Sequence, residues 1–205
     1  MHPAERLRHR LNTLCLLLPG QFFGLMAVFW LRFLPPFRPY DFHTPPPRPL
    51  VLVVATLLCV VPFLLPVRFF RPRAFERGRF YRRLGVRAFR YLAPDGDWVG
   101  RRVRRLDPTY RAVGGRADVR AHIAGTYANE RWHLALFIGG LFTQVFALAS
   151  GQVGWALLLT LTNVAFNLYP VLHQRYKRAR ARRACAPGDT RSPGVDQRPL
   201  ISECR

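Results

Sequence analysis

The sequence predicts an all-α, polytopic membrane protein with four transmembrane helices and a basic cytoplasmic loop that contains interfacial helices. Uncharged windows lie at 11–31, 50–67 and 132–174, and about 20 apolar residues suffice to cross a bilayer core of roughly 30 Å. The 205 residues carry 32 Lys plus Arg against 11 Asp plus Glu, a net charge of +21, and these charges lie between the windows. This segregation excludes a secreted disulfide scaffold, a disordered tail protein and an ordinary soluble enzyme.

The first two predicted spans cover 11–34 and 50–67. A cleaved signal peptide explains the first window poorly, because its 21 uncharged residues exceed the usual apolar core of about 7–15 residues. No small-residue cleavage site follows it. The connection at 35–49 contains seven prolines, which favour an extended linker.

The third window must contain two crossings. Its 43 uncharged residues would extend about 65 Å as one helix, at a rise of 1.5 Å per residue. A turn-forming cluster of Ser, Gly and Gln at 150–154 divides the window. The predicted third and fourth spans are therefore 133–149 and 155–172.

The distribution of arginine predicts the orientation, because basic loops are retained in the cytoplasm. The segment 68–131 holds 17 Arg, whereas the linker at 35–49 holds two and the turn at 150–154 holds none. We therefore expect a multi-pass protein of the cell membrane with both termini and the loop 68–131 in the cytoplasm. Residues 1–183 form one integral membrane domain, and the Pro-, Gly- and charge-rich residues 184–205 form a disordered tail.

Within the loop, residues 76–92 are predicted to form a helix along the membrane interface. Phe80, Leu84 and Ala88 recur at four-residue steps, whereas arginines occupy the other positions. The basic side chains have two interpretations: they fix the topology and bind lipid headgroups, or they bind a phosphorylated or carboxylated substrate. Nucleic acid is not expected as a partner, since the bilayer already supplies an anionic surface and no nucleic-acid motif is present.

Glu130 and His133 lie three residues apart, and therefore side by side, where the loop enters the third span. A carboxylate beside an imidazole can orient the ring so that its other nitrogen takes a proton from a hydroxyl. The alternative is structural: Glu130 pairs with Arg131 or with an arginine of the loop, and His133 is an interfacial polar residue.

The fourth span contains Asn163 and Asn167 on one face, and Gln174 follows at its end. Such amides either bond to a neighbouring helix or line a polar pocket that is reached from the cytoplasm. No metal site is expected, because the chain has no Cys/His ligand spacing and no acidic residue in the other spans. The four cysteines neither pair nor cluster.

Three blocks of residues are similar to those of a known family. The blocks are Glu76, Phe80-Tyr81, Leu84-Gly85-Val86-Arg87 and Pro94-Asp95; then Glu130-x-x-His133; then Asn167-x-x-Pro170-x-x-x-Gln174-Arg175-Tyr176-x-Arg178. They resemble the glycosyl-4,4'-diaponeurosporenoate acyltransferases, small membrane enzymes that place a fatty acyl chain on the sugar of a carotenoid glycoside. The resemblance covers about residues 50 to 183.

The resemblance implies acyl transfer from an acyl thioester, with acyl-CoA as the donor substrate and no bound cofactor. The acceptor would be a sugar hydroxyl of a carotenoid glycoside or a related amphiphilic glycolipid. His133 would be the general base and Glu130 its orienting partner. The substrate-binding residues would be Asn167, Gln174, Arg175, Tyr176, Arg82, Arg83 and Arg87. No serine or cysteine nucleophile with an adjacent base is evident, so direct transfer is expected.

A competing hypothesis is a non-catalytic membrane protein whose Arg-rich loop binds anionic lipid or a partner enzyme. The two hypotheses differ in geometry. Acyl transfer requires Glu130, His133, Asn167 and Gln174 to approach one another, whereas a lipid-binding loop does not.

Overall fold

The computed structural model describes residues 2–184 except 38, 40–43, 74, 77, 95 and 111–115. Regular structure in this part of the chain is entirely helical, which confirms the all-α prediction. The predicted disordered tail, apart from residue 184, lies outside the described residues. The helices are α1 (Pro3–Leu31), α2 (Pro49–Leu64), α3 (Gly78–Arg83), α4 (Val86–Leu92), α5 (Asp97–Arg104), α6 (Arg116–Ala149), α7 (Val153–Asn163) and α8 (Tyr169–Ala184).

Three helical stretches in the described chain are long and apolar enough to cross a membrane. They are Pro3–Leu31, Ile123–Ala149 and Val153–Arg180, the last of which runs through α7 and α8. The apolar helix α2 has 16 residues, which extend about 24 Å and fall short of a bilayer core of roughly 30 Å. The described residues therefore include three candidate membrane-spanning helices and a shorter apolar helix.

Helix α1 begins earlier than its apolar window because local capping extends it into basic sequence. The His2 side chain accepts a hydrogen bond from the Ala4 amide, and the Glu5 carboxylate accepts one from the His2 amide. Pro3 occupies the first turn, where its missing N–H has no consequence. This capping box starts α1 at Pro3, whereas the apolar window begins at residue 11.

The two ends of α1 pack against different parts of the molecule. Near its start, Ala4 and Cys15 pack against Val99 and Val103 of α5. Near its end, Phe29 packs against the last turns of α6 and the first turns of α7. The start of α1 and the basic loop therefore lie at one end of the bundle, and the α6–α7 turn lies at the opposite end.

Helix α2 runs antiparallel to α6. Phe63 packs edge-on against Trp132 with 4.8 Å between ring centroids, and Cys59 lies beside Gly139. The Arg131 guanidinium donates to the Leu65 carbonyl at the end of α2 (3.0 Å). These contacts place α2 along the same helix that carries Glu130 and His133.

The prediction of one continuous helix over 76–92 is wrong. The chain forms α3 and α4, which are separated at Gly85, where φ is +69°. Only glycine adopts this left-handed conformation without strain. The break lets Tyr81 and Val86 both pack into the protein against Tyr176 of α8.

Candidate active site

The predicted catalytic and binding residues of the third and fourth spans lie on α6 and on the α7–α8 stretch. The structure brings His133 together with Asn167, and Glu130 together with Arg175. Glu130 and His133 share no hydrogen bond, although they lie one helical turn apart. The site thus consists of two polar groupings on one pair of helices.

The first grouping, here called the amide chain, consists of His133, Asn167 and Asn163. The His133 Nδ1 lies 3.4 Å from the Asn167 Oδ1. The Asn167 Nδ2 donates to the Asn163 Oδ1 (2.8 Å), and the Asn163 Nδ2 donates to the Phe137 carbonyl (3.0 Å). Both asparagines are buried and His133 is half-buried. The amide chain therefore runs from the interior of α6 to an accessible imidazole.

A π-helical turn at Val164–Leu168 sets the position of Asn167. Pro170 has no N–H to give to the Phe166 carbonyl four residues earlier. In the π-turn, the Tyr169 N–H bonds to the Val164 carbonyl, five residues back. The Phe166 carbonyl, left without this helical partner, lies near the His133 ring.

Close helix packing holds the other end of the amide chain. A Cβ atom added to Gly140 would overlap the Asn163 amide group, because the two would lie nearer to each other than any side chain tolerates. Glycine at this position therefore lets α7 approach α6 closely enough for Asn163 to reach the Phe137 carbonyl.

The second grouping, here called the ion-pair cluster, consists of Glu130, Glu76, Arg175 and Arg178. The Arg175 Nη1 donates to the Glu130 Oε1 (3.1 Å), and the Arg178 Nη2 is paired with the Glu130 Oε2. Glu130 is 1% exposed and Arg178 is 2% exposed. A buried carboxylate needs such compensation, because desolvation of an unpaired charge is costly.

Arg178 also forms hydrogen bonds with two neutral groups. It donates to the Thr126 hydroxyl (3.1 Å) and to the Phe70 carbonyl (3.0 Å). Its guanidinium lies 4.3 Å from the centre of the Tyr127 ring. Arg178 therefore joins α8 to α6 and to the segment that follows α2.

Glu76 completes the ion-pair cluster from the loop. Its Oε2 accepts hydrogen bonds from the Arg175 Nε (3.2 Å) and the Tyr81 hydroxyl (2.5 Å). Burial raises the pKa of Glu76, but the bonds from Arg175 and Tyr81 outweigh it, so that the pKa lies below its usual value. Burial is the largest cause that raises the pKa of the Tyr81 hydroxyl, and the adjacent Glu76 carboxylate raises it further.

The sequence analysis did not place Glu76 or Arg178 beside Glu130. Both belong to the blocks that carry the family resemblance, but the pattern gives them no partner. One signal in the sequence is the rarity of acidic residues in this strongly basic region, where Glu76 is the only one between Asp41 and Asp95. A lone carboxylate there is expected to attract arginine.

Two further predicted binding residues lie on α8. Gln174 is 8% exposed, and its Oε1 has no hydrogen-bond partner among the described residues. Tyr176 is buried and packs edge-on against Tyr81 with 5.3 Å between ring centroids. Gln174 thus has hydrogen-bonding capacity for a ligand, whereas Tyr176 contributes to the packing of the loop.

The predicted basic binding residues Arg82, Arg83 and Arg87 are exposed on α3 and α4. Within the described part of the chain they take part in no ion pair. Their guanidinium groups are therefore accessible to an anion from outside the protein. No group of three or more potential metal ligands of the His, Cys, Asp or Glu type occurs among the described residues.

Chemically, the amide chain can support proton transfer. Asn167 presents its carbonyl oxygen to His133 Nδ1, an arrangement that favours a proton on Nδ1 and a lone pair on Nε2. A neutral imidazole with a free nitrogen can accept a proton from a hydroxyl. The ion-pair cluster has few unused donors, so it is suited to holding elements together.

Comparison with known proteins identifies the family of the chain. No curated protein and no solved structure matches the chain. A family model described as glycosyl-4,4'-diaponeurosporenoate acyltransferase matches residues 66–187, more than half of the chain. The match includes both the amide chain and the ion-pair cluster. The chain therefore belongs to the glycosyl-4,4'-diaponeurosporenoate acyltransferase family.

Proposed function

We propose that this protein is a membrane O-acyltransferase. It transfers a fatty acyl group from an acyl thioester, with acyl-CoA as the donor, to a sugar hydroxyl of a carotenoid glycoside or a related glycolipid. The observation that carries the proposal is the half-buried His133, held by Asn167 within the region that matches the family. A lipid-binding loop would need no such arrangement on α6.

The reaction balances as a single displacement. His133 Nε2 takes the hydroxyl proton while the sugar oxygen bonds to the thioester carbonyl carbon. The carbon–sulfur bond then breaks, and the imidazolium returns the proton to the departing thiolate. Ester and free thiol are the products, so that neither an acyl-enzyme nor a redox partner is required.

We propose the amide nitrogen of Gln174 as the donor that stabilises the developing oxyanion. The donors of Arg175 are directed at Glu76, Glu130 and a backbone carbonyl. The Asn167 amide nitrogen is engaged by Asn163. Gln174 is buried, and its Oε1 has no hydrogen-bond partner among the described residues, so that this amide group is not held by another part of the protein.

Glu130 takes a different role from the predicted one. Its carboxylate is directed at Arg175 and Arg178, so we propose that it positions α6 against α8 and acts on His133 only through the backbone. Arg175 likewise acts by holding the loop. Asn167 replaces Glu130 as the side chain that orients His133.

Arg82, Arg83 and Arg87 are proposed to bind the phosphates of the acyl-CoA donor. They are exposed and lie on short helices that Tyr81 and Val86 anchor to α8. Arginine suits phosphate because its planar guanidinium can form two parallel hydrogen bonds.

The proposed topology has four crossings in the cell membrane. The short helix α2 is the second, because a bilayer can thin around an apolar helix a few Å shorter than its core. The linker after α1 and the α6–α7 turn lie at the same end of the bundle, since the Gln152 side chain bonds to both Arg32 (2.6 Å) and Thr44 (3.1 Å). The basic loop lies at the other end of α1, which the excess of arginine assigns to the cytoplasm.

A reporter fused after residue 45 should report the external side and one after residue 110 the internal side. The reverse result would contradict the orientation.

The function is tested by mass-spectrometric profiling of lipids and pigments from cells with and without the gene. Loss of an acylated glycoside, with accumulation of the unacylated form, is the expected result. Unchanged glycosides would contradict the proposal. Restoration by the wild-type gene but not by His133→Ala, at equal protein level in the membrane, would connect the product to the site.

A further inference from the structure

The amide chain has a direction that one backbone group determines. The Phe137 carbonyl can only accept, so Asn163 must turn its amide nitrogen toward it (3.0 Å). The Asn163 oxygen then faces Asn167, which must donate its own amide nitrogen (2.8 Å). As a result, Asn167 presents its oxygen to His133.

The direction of the chain determines the tautomer of His133. A neutral imidazole carries one proton, and the nitrogen opposite an acceptor is the one that keeps it. Because Asn167 presents an oxygen to Nδ1, the proton resides on Nδ1.

Asn163 is placed to orient the Asn167 amide and cannot itself contact a ligand. It is 0% exposed, so that it cannot reach a ligand outside the protein. Its position depends on Gly140, because an added Cβ atom there would overlap the amide group. Both features describe a residue that acts through its neighbours.

We propose that Asn163 is a positioning residue for acyl transfer. Through Asn167 it holds His133 in the Nδ1–H tautomer and thereby leaves Nε2 as the basic nitrogen. This inference rests on the proposed function for its catalytic consequence, whereas the tautomer itself is a property of the protein without substrate.

The test is ¹⁵N NMR of the full-length protein in nanodiscs with labelled histidine. The six histidines include His133, whose signals are identified by their loss in His133→Ala. The wild type should show the Nδ1–H tautomer. Asn163→Leu should shift His133 to a mixture of tautomers and lower turnover about 10-fold or more, as when a group that orients a reactive histidine is removed.

Gln144→Leu is the matched control. Gln144 is a buried amide on the same helix pair and bonds to the Leu159 carbonyl (3.2 Å), with no link to His133. Its removal should leave the His133 tautomer unchanged. If Asn163→Leu does not fold, Gly140→Ala displaces the same amide and should give the same shift.

An unchanged His133 signature in folded Asn163→Leu or Gly140→Ala would overturn the inference. So would a loss of turnover no larger than that of Gln144→Leu. Failure of the proposed function would look different: His133→Ala would then retain turnover, whatever the tautomer in the wild type.

Discussion

The amide chain and the ion-pair cluster occupy the same pair of helices, but they use polar groups in opposite ways. The ion-pair cluster consists of largely buried charges that pair with one another and also bond to neighbouring neutral groups. The amide chain is neutral and ends at a half-buried imidazole with a free nitrogen. The comparison indicates that charge complementarity joins the elements, whereas the neutral chain leaves one group able to react.

The largest expected effect is the loss of stability when the ion-pair cluster is broken. Arg178→Met leaves the Glu130 carboxylate, 1% exposed, without its closest partner. Removing one member of a buried pair costs about 3–5 kcal/mol, so the midpoint of unfolding in detergent should fall markedly. Arg90→Met is the control, since its partner Asp97 is 46% exposed and the cost should be below about 1 kcal/mol. Equal losses of stability in the two variants would contradict the claim that the buried ion pair matters more than the exposed one.

The next largest effect concerns turnover without loss of stability. His133→Ala should lower the rate of acyl transfer by a factor of about 10² or more, because it removes the proposed base. Its unfolding midpoint should stay near that of the wild type, since His133 belongs to the neutral chain. Glu130→Gln should show the reverse pattern: a clear loss of stability and a smaller loss of turnover. A rate that falls further in Glu130→Gln would make the carboxylate the base.

A smaller effect is the pH dependence of the ion-pair cluster. The pKa of Glu76 is lowered in the folded protein, mainly by Arg175 and Tyr81 acting against burial. Its stabilising contribution is therefore complete above the usual carboxyl value of about 4.3 and is lost as the pH falls through the lowered value. The wild type should lose more stability than Glu76→Gln between about pH 6 and about pH 3. Parallel pH profiles would contradict this contribution.

The smallest effect is expected at the exposed arginines. Replacing Arg82, Arg83 and Arg87 by Gln should raise the KM for acyl-CoA several-fold and weaken its dependence on salt, with little change in kcat. The control variant replaces Arg101, Arg102 and Arg104 of α5, which removes the same charge from another exposed face. If both triple variants change the KM for acyl-CoA equally, the change reflects the lower net charge of the protein, and the proposal of a specific donor site at Arg82, Arg83 and Arg87 is contradicted.

The sequence predicted the helical class and the apolar segments, because an uncharged window long enough to cross a bilayer is typical of a membrane-spanning helix. It did not predict where the helices begin, since α1 starts at a capping box formed by His2 and Glu5. Nor did it predict the break at Gly85, because the row of apolar residues continues through it.

The sequence indicated candidate site residues but not which of them pair. Glu130 is adjacent in sequence to Arg131, yet Arg131 bonds to the Leu65 carbonyl and lies over the Phe70 ring. The partners of Glu130 come from α8, 45 and 48 positions later. Such pairing depends on the register of α6 against α8, and local spacing does not contain that information.

The central claim is tested most directly by acyl transfer with purified protein in nanodiscs, supplied with acyl-CoA and a glycosylated carotenoid or glycolipid. Mass spectrometry measures the acylated glycoside and the released thiol. The account predicts equal amounts of both products from the wild type and at least about 100-fold less from folded His133→Ala. Product formed equally by His133→Ala, or no product from the wild type with any acceptor of this class, would contradict it.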